Sequence, residues 1–257
     1  MLQEPVVIIG IGEMGGVFAR GLLRRGHPVH PVTRLMDLQD SAARLPGPAL
    51  VLVAVAEQDL HPVLETLPEA WRDRVGLLQN ELLPRDWARH GLKGVTVVAV
   101  WFEKKRGQDV KVLLPSPVFG PRARLLAEAL GALDIPTRVV DDFDAMRDEL
   151  VLKNLYILTT NIAGLVCGGT VGELWAAHRP LAEAVADDVL ALQASLTGVP
   201  LNRSEFLRRL EEAIQADPQH RCTGRSAPAR LARALLLADE AGLAVPKLRE
   251  IQAGLGG

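Results

Sequence analysis

The stretch PVVIIGIGEMGGVFARGLLRRG, residues 5–26, decides the fold of this chain. It begins with a short run of Val and Ile without polar alternation, which is typical of a strand buried on both faces of a parallel sheet. It continues with apolar residues at helical spacing and ends in basic residues and Gly26, which favours a helix stop. Three glycines, Gly10, Gly12 and Gly15, lie between the two parts as G-x-G-x-x-G. The stretch therefore predicts a strand, a glycine turn and a helix.

This order is the context in which G-x-G-x-x-G indicates a dinucleotide-binding loop. Gly10 would permit the tight turn, Gly12 would let a pyrophosphate approach the backbone, and Gly15 would let the helix pack closely on the strand. The helix N-terminus would add free N–H groups and a positive dipole end. We expect a dinucleotide to bind the residues Gly10, Ile11, Gly12, Glu13, Met14 and Gly15. The alternative is a glycine turn without a ligand.

The second predicted strand, HPVHPVTR, bears on the choice of dinucleotide. An NAD-binding chain usually carries an acid about 20 residues after the glycines. Here the strand ends at Thr33-Arg34, and the next carboxylate is Asp37. A guanidinium can pair with a 2′-phosphate, so Arg34 favours NADP over NAD. Pro28 and Pro31 lie inside this strand and predict that it is short or irregular.

Composition excludes several other classes of function. The chain has 257 residues, 48% of them hydrophobic, and a formal net charge of -2, so the bulk charge does not point to nucleic acid or a membrane surface. Its two cysteines and six histidines show no metal-ligand spacing, and no metal is expected. The N-terminus lacks a signal-peptide pattern, and the apolar run 155–169 is shorter than the ~20 residues of a membrane span. These features predict a reduced, cytoplasmic protein with no membrane partner.

The order of strand-like and helix-like patterns along the chain predicts two domains. Through the first part, short apolar runs alternate with helical stretches, which favours an α/β fold with a Rossmann-like, doubly wound parallel sheet. The predicted strands after the second are ALVLVAVA, VGLLQN, VTVVAVWF and DVKVLL. Beyond residue 144 helical patterns take over, at 143–167, 171–198, 202–216 and 226–242, with a capping box at Thr170 and Glu173. We predict an NADP-binding domain over 1–144 and an all-helical substrate domain over 145–257.

The segment VLKNLYILTTN, residues 151–161, places Lys153 among apolar residues of a helix. A lysine there either extends its ammonium to water or has a chemical role. A helical domain after a nicotinamide domain usually forms a cleft with it, and reducing a ketone there needs a proton donor besides the hydride. Lys153 suits that role and would stabilise the developing alkoxide. Thr160 and Asn161 lie on nearby faces, although a buried asparagine alternatively bridges backbone groups.

Taken together these motifs resemble the ketopantoate reductase (2-dehydropantoate 2-reductase) family, NADPH-dependent two-domain enzymes of pantothenate biosynthesis. The similarity runs over nearly the whole chain. Gly10 to Gly15 match the family's phosphate loop. The strand that ends in Arg34 matches the family strand whose final arginine recognises NADP. LLQN matches its Leu-Gln-Asn-Gly turn, which implies that Asn80 lies between nicotinamide and substrate. The resemblance thus implies NADPH as the cofactor and a 2-oxo acid as the substrate.

The second half carries the catalytic part of the resemblance. The pattern K-x7-N, from Lys153 to Asn161, and the GEL that follows it match the family's catalytic helix. The resemblance therefore implies that Lys153 is the general acid and that Asn161 contacts the substrate. The closing motif Gly-Leu-Ala-Val-Pro at 242–246 is similar to the family's G-I-x-x-P. A homodimer is a further expectation.

The chain departs from the family mainly around the substrate. Ala56 stands where the family has a cofactor-binding lysine, and Glu81 replaces the glycine after Asn80. Ile157 replaces a second asparagine of the catalytic helix. The segment 222–229, CTGRSAPA, has neither the family's T-E-I acid nor its Asn-Gly pair; here Arg225 could pair a substrate carboxylate, or it lies solvated beside an N-cap at Ser226.

Three functions therefore stay open. The preferred one is the NADPH-dependent reduction of ketopantoate or a related 2-oxo acid, with Lys153 as proton donor. The second is another NAD(P)-dependent dehydrogenase, of the 3-hydroxyacid or pyrroline-carboxylate reductase type. The third is a non-catalytic NADP-binding regulatory protein, which the missing acid near residue 223 suggests.

Overall fold

The structure is a computed structural model that describes residues 3–224 and 226–255. It divides into two compact units, of which the first ends at Leu150 and the second begins at Val151. This division lies within a long helix that begins at Phe143, whereas the sequence placed the boundary just after that helix begins. Arg225, a candidate in the substrate segment, lies outside the described residues.

The first unit alternates strands with helices. Its strands are β1 (Val6–Ile9), β2 (Val29–Val32), β3 (Leu50–Val53), β4 (Val75–Leu77), β5 (Thr96–Val98), β6 (Phe102–Glu103), β7 (Lys111–Val112), β8 (Ser116–Phe119) and β9 (Thr137–Val139). Its helices are α1 (Glu13–Arg24), α2 (Leu38–Arg44), α3 (Leu60–Glu65), α4 (Pro84–Ala88) and α5 (Ala123–Gly131), with 3-10 turns at Glu57–Asp59 and Glu69–Arg74.

Seven of these strands form one sheet in the order β2-β1-β3-β4-β5-β8-β9. All neighbours pair in parallel except β5 and β8. Every residue of β1 and β3 is buried, as expected for central strands covered on both faces. The prediction of a Rossmann-like, doubly wound sheet is confirmed. Because chain order reverses between β1 and β3, their carboxyl ends form the switch point at which such sheets bind ligands.

The short second strand is also confirmed, but Pro28 precedes it and only Pro31 lies inside it. The topology explains that proline. β2 lies at the edge of the sheet and pairs with β1, with Pro31 opposite Ile8. An edge strand has one side without a ladder partner, so a residue without an N–H is tolerated there.

The strand predictions were wrong at the far side of the sheet. DVKVLL contributes only β7, which pairs with β6 in a separate two-stranded hairpin. The main sheet is completed by β8 and β9, from the SPVF and TRV segments, which were not predicted. Pro117 made β8 hard to recognise, because proline is depleted in strands. β9 was missed because it is short and mostly exposed, and it pairs with β8 over a long distance in the chain.

The second unit is helical, as predicted. Its helices are α6 (Phe143–Cys167, which crosses the division), α7 (Val171–Ala177), α8 (Arg179–Thr197), α9 (Arg203–Ala216), α10 (Ala227–Glu240) and α11 (Pro246–Leu255). The predicted helix 171–198 is two helices, because Pro180 in the first turn of α8 cannot continue α7. The capping box is confirmed: Thr170 Oγ1 accepts from Glu173 N at 3.2 Å, and Glu173 Oε2 accepts from Thr170 N at 2.8 Å.

Helix α6 is long and apolar enough to cross a membrane by length and composition. However, 83% of its most apolar window is buried within the protein. This is the pattern of a core helix, whose apolar side chains are covered by neighbouring helices and not by lipid.

Candidate functional site

The loop after β1 requires glycine at two positions for different reasons. Gly10 has a φ of 91°, which disfavours any side chain, and a Cβ there would lie 2.8 Å from the carbonyl oxygen of Ala54. Gly15, in the first turn of α1, would place a Cβ 2.1 Å from the carbonyl oxygen of Gly10. These contacts hold the helix tightly on the loop, which is the packing that the motif predicts.

Gly12 and Gly16 are different, because the fold itself does not need them to be glycine. Gly12 has an ordinary φ of -73° and Gly16 is an interior residue of α1. At both positions a Cβ would meet nothing within 4 Å. Gly12 is also the N-cap of α1 and makes no side-chain hydrogen bond to the first turn, which leaves the first-turn N–H groups without a side-chain cap. This open cradle fits a phosphate group.

A cavity of about 290 Å³ lies over this cradle, lined by Ile11, Gly12, Glu13, Gly16, Val17, Arg20 and Lys104. Met14 instead faces inward and packs against the core of the unit. Lys104 Nζ lies 3.3 Å from Glu13 Oε2. Sequence reasoning missed Lys104, because no local pattern marks its position beside the glycine loop.

Arg34 follows β2 and is exposed. Ile9 pairs with Val32, and Gly10 N donates to Val32 O at 2.9 Å, so the turn that carries Arg34 leaves the sheet next to the glycine loop. Asp37, the nearest downstream acid, is the N-cap of α2, where its Oδ1 accepts from Asp40 N at 2.9 Å. Capping of α2 is therefore a sufficient structural role for the Asp37 carboxylate, and no contact with a ribose is needed to account for it.

Asn80 lies just past β4, at the same carboxyl edge of the sheet. Its Nδ2 donates to Glu57 Oε1 at 3.1 Å. The preceding Gln79 is buried and ties β4 to β3, because its Nε2 donates to Val53 O at 2.7 Å. Glu81 has a φ of 61°, so the turn keeps the left-handed backbone of an Asn-Gly turn although the glycine is replaced.

Lys153 lies on α6 in the second unit. It is half-buried, whereas its neighbours Leu152 and Asn154 are buried. Asn154 Nδ2 donates to Gln193 Oε1 at 3.0 Å and so fixes this part of α6 against α8. Lys153 is therefore a partly accessible cation on a firmly held segment of helix.

Asn161 is buried, and both ends of its amide have protein partners. Nδ2 donates to Cys222 O at 3.1 Å, and Oδ1 accepts from Arg230 Nη1 at 2.7 Å. Thr160 bonds its own helix, since its Oγ1 donates to Tyr156 O at 2.7 Å. The structure therefore brings Asn161 together with Arg230 on α10, a residue that sequence reasoning missed and that no local pattern marks.

Among residues 3–224 and 226–255, no group of three His, Cys, Asp or Glu side chains could hold a metal ion. Cys222 is fully buried, and burial raises the pKa of its thiol to about 12. Its thiolate is therefore scarce at neutral pH, which disfavours a reactive cysteine.

No family model matches the sequence, and no curated protein matches it. Solved structures, in contrast, match over nearly the whole chain. A 2-dehydropantoate 2-reductase from Methylococcus capsulatus superposes with a TM-score of 0.70 at 15% identity, covering 98% of this chain and 96% of the other. A ketopantoate reductase from Ralstonia eutropha JMP134 gives 0.69 at 20% identity, covering 97% and 96%.

D-mandelate dehydrogenase in complex with NADH gives a TM-score of 0.68 at 15% identity, covering 97% of this chain and 96% of the other. The chain thus has the fold of ketopantoate reductases, a Rossmann-like unit followed by a helical one, as the motif resemblance implied. At these identities the likeness shows the fold alone.

Proposed function

We propose that this protein is an NADPH-dependent oxidoreductase that reduces a small 2-oxo acid to the 2-hydroxy acid, with ketopantoate as the first candidate substrate. The observation that carries the proposal is the cradle at Gly12 and Gly16. Neither the backbone conformation nor the packing requires glycine at these positions, and both residues line a cavity at a helix N-terminus. The fold shared with ketopantoate reductases supports the reaction type.

The choice of cofactor rests on the turn after β2. Arg34 is exposed beside the glycine loop, while Asp37 caps α2. A guanidinium at this position favours a 2′-phosphate over a bare ribose hydroxyl. Because a structural neighbour binds NADH, the two nucleotides have to be tested side by side.

A reduced nicotinamide supplies a hydride to the carbonyl carbon when it is bound. In the proposal Lys153 gives a proton from its ammonium to the carbonyl oxygen, so that the ketone becomes an alcohol with atoms and charge balanced. Asn80 orients the reactants from the carboxyl edge of the sheet. Asn161 acts as a positioning residue through Arg230, since both ends of its amide are engaged.

The first test is a fluorescence titration of the protein with NADPH and with NADH. We expect NADPH to bind more tightly than NADH, and Arg34→Ala to weaken NADPH roughly tenfold or more, by the loss of a charge-assisted pair, with little change for NADH. Equal loss for both nucleotides would contradict the role of Arg34. If wild-type protein bound neither at high micromolar concentration, the proposed function would fail.

The second test is turnover of NADPH with ketopantoate and a panel of 2-oxo acids. Lys153→Ala and Lys153→Arg should both lose turnover and keep NADPH affinity, because an arginine retains the charge but does not release its proton. Lys247→Ala, on the same unit, is the control and should turn over as wild type. Unchanged turnover in Lys153→Ala would remove the lysine from the mechanism.

A non-catalytic NADP-binding protein is the second candidate, favoured by the segment 222–229, which lacks the acid of the resembling family. Such a protein would bind NADPH and oxidise it with no member of the panel. A cytoplasmic location and a homodimer remain part of the proposal, and a place in pantothenate biosynthesis follows if ketopantoate is the substrate.

A further inference from the structure

We propose that Lys104, on the β6–β7 hairpin outside the main sheet, binds the pyrophosphate of the dinucleotide and that Glu13 is its counter-ion when the site is empty. This inference rests on the proposed function and adds to it a residue that the glycine motif does not contain.

The hairpin is anchored on the same helix that forms the cradle. Phe102 of β6 is buried and its ring lies 6.2 Å from that of Phe18 on α1. At the base of the hairpin Leu113 N donates to Trp101 O at 2.8 Å. Lys104 follows Phe102 closely in the chain, so its backbone is held near α1.

The ammonium is partly buried and directed by the hairpin itself. The Lys104 side chain is only 19% exposed, and Nζ donates to the carbonyl oxygens of Lys105 and Gln108. A lysine ammonium has three N–H donors. The remaining one lies toward Glu13 Oε2, 3.3 Å away, at the edge of the cavity over Gly12.

The charges at this edge explain why a lysine is needed. Glu13 suits the positive end of α1, but its carboxylate would repel a phosphate in the cradle. Lys104 offsets that repulsion and can exchange the carboxylate for a phosphate oxygen, a charge-assisted contact of the kind that ammonium groups make. Ala56, in contrast, offers no charge at the end of β3.

The experiment compares Lys104→Ala with Lys105→Ala, an adjacent lysine that is 60% exposed and pairs with Glu103. Affinities for NADPH and NADH are measured by nicotinamide fluorescence, and melting temperatures verify folding. We expect Lys104→Ala to weaken both nucleotides by the same factor, roughly tenfold to hundredfold, because both carry the pyrophosphate. Lys105→Ala should stay within about twofold of wild type, since an exposed pair contributes little.

Two outcomes would overturn the inference while the proposed function stood. One is a Lys104→Ala protein that binds NADPH as wild type does. The other is loss of NADPH affinity alone, which would assign the lysine to the 2′-phosphate. Lys104→Gln repeats the test if the alanine variant melts early. Adding Glu13→Gln to Lys104→Ala should recover part of the lost affinity, and absence of recovery would remove the counter-ion role.

Discussion

Two glycines at the start of α1 and two glycines of the second unit that contact residues 217–223 have different surroundings. At Gly12 and Gly16 a Cβ would meet nothing within 4 Å. At Gly164 it would lie 2.5 Å from Cys222 Cβ, and at Gly172 it would lie 2.8 Å from Pro218 Cβ. Beside the first pair there is open space that no protein atom fills. Beside the second pair the protein's own chain packs so closely that a side chain would clash. One residue type thus marks a candidate binding surface in one unit and tight packing in the other.

The sharpest test of this comparison is Gly12→Ala. The backbone tolerates alanine there and no neighbour clashes, so the free energy of unfolding should stay the same or rise by about 0.5 kcal/mol. NADPH affinity should fall at least about a hundredfold, since the methyl group would block two or more charge-assisted contacts of phosphate with backbone N–H groups. Normal NADPH binding by the variant would show that the open space is not the phosphate site.

Gly164→Ala should do the opposite. Its Cβ would overlap Cys222 and Thr223, so we expect a loss of about 1–3 kcal/mol in the free energy of unfolding. NADPH affinity below the melting temperature should not change. Gly16→Ala is the matched control, an interior helical glycine in open space, and should gain up to about 1 kcal/mol from helix propensity. Equal stability changes for the two variants in a urea titration would contradict the comparison.

The closed packing around Gly164 also predicts a pH dependence. Burial raises the pKa of Cys222 from 9.0 to about 12 in the folded chain. The thiol therefore contributes stability below pH 9 that is lost as the pH rises, because the unfolded chain ionises first. By pH 10 the loss should reach about 1 kcal/mol. Urea titrations at pH 8 and pH 10 should show a larger loss in wild type than in Cys222→Ala; the same pH slope in both would contradict the prediction.

The smallest expected effect concerns a position where the backbone favours glycine and the chain has none. Glu81 holds a φ of 61°, so Glu81→Gly should relieve strain and raise the free energy of unfolding by up to about 1 kcal/mol. Its neighbour Asn80 keeps its bond to Glu57 Oε1, so NADPH affinity should change little. A lower melting temperature would indicate that the Glu81 side chain stabilises the turn.

Most of the fold and the conformation of the glycine loop were predictable from local patterns. Buried Val and Ile runs, the glycine spacing and the Thr170–Glu173 capping box each depend on residues close together in the chain, so their structural meaning is local. Arg34 was predictable as a cofactor-binding candidate, because a strand that pairs in parallel with β1 ends at the same edge of the sheet as the glycine loop.

The sequence by itself determined a Rossmann-like unit followed by helices, since hydrophobic periodicity and glycine conformation act over a few residues. Only the tertiary structure decided that Lys104 lies beside Glu13, that Asn161 holds Arg230, and that SPVF and TRV complete the sheet. These contacts join segments far apart in the chain, and their side chains carry no periodic pattern. Their positions follow from how the hairpin, the helices and the sheet edges pack, which local propensity does not encode.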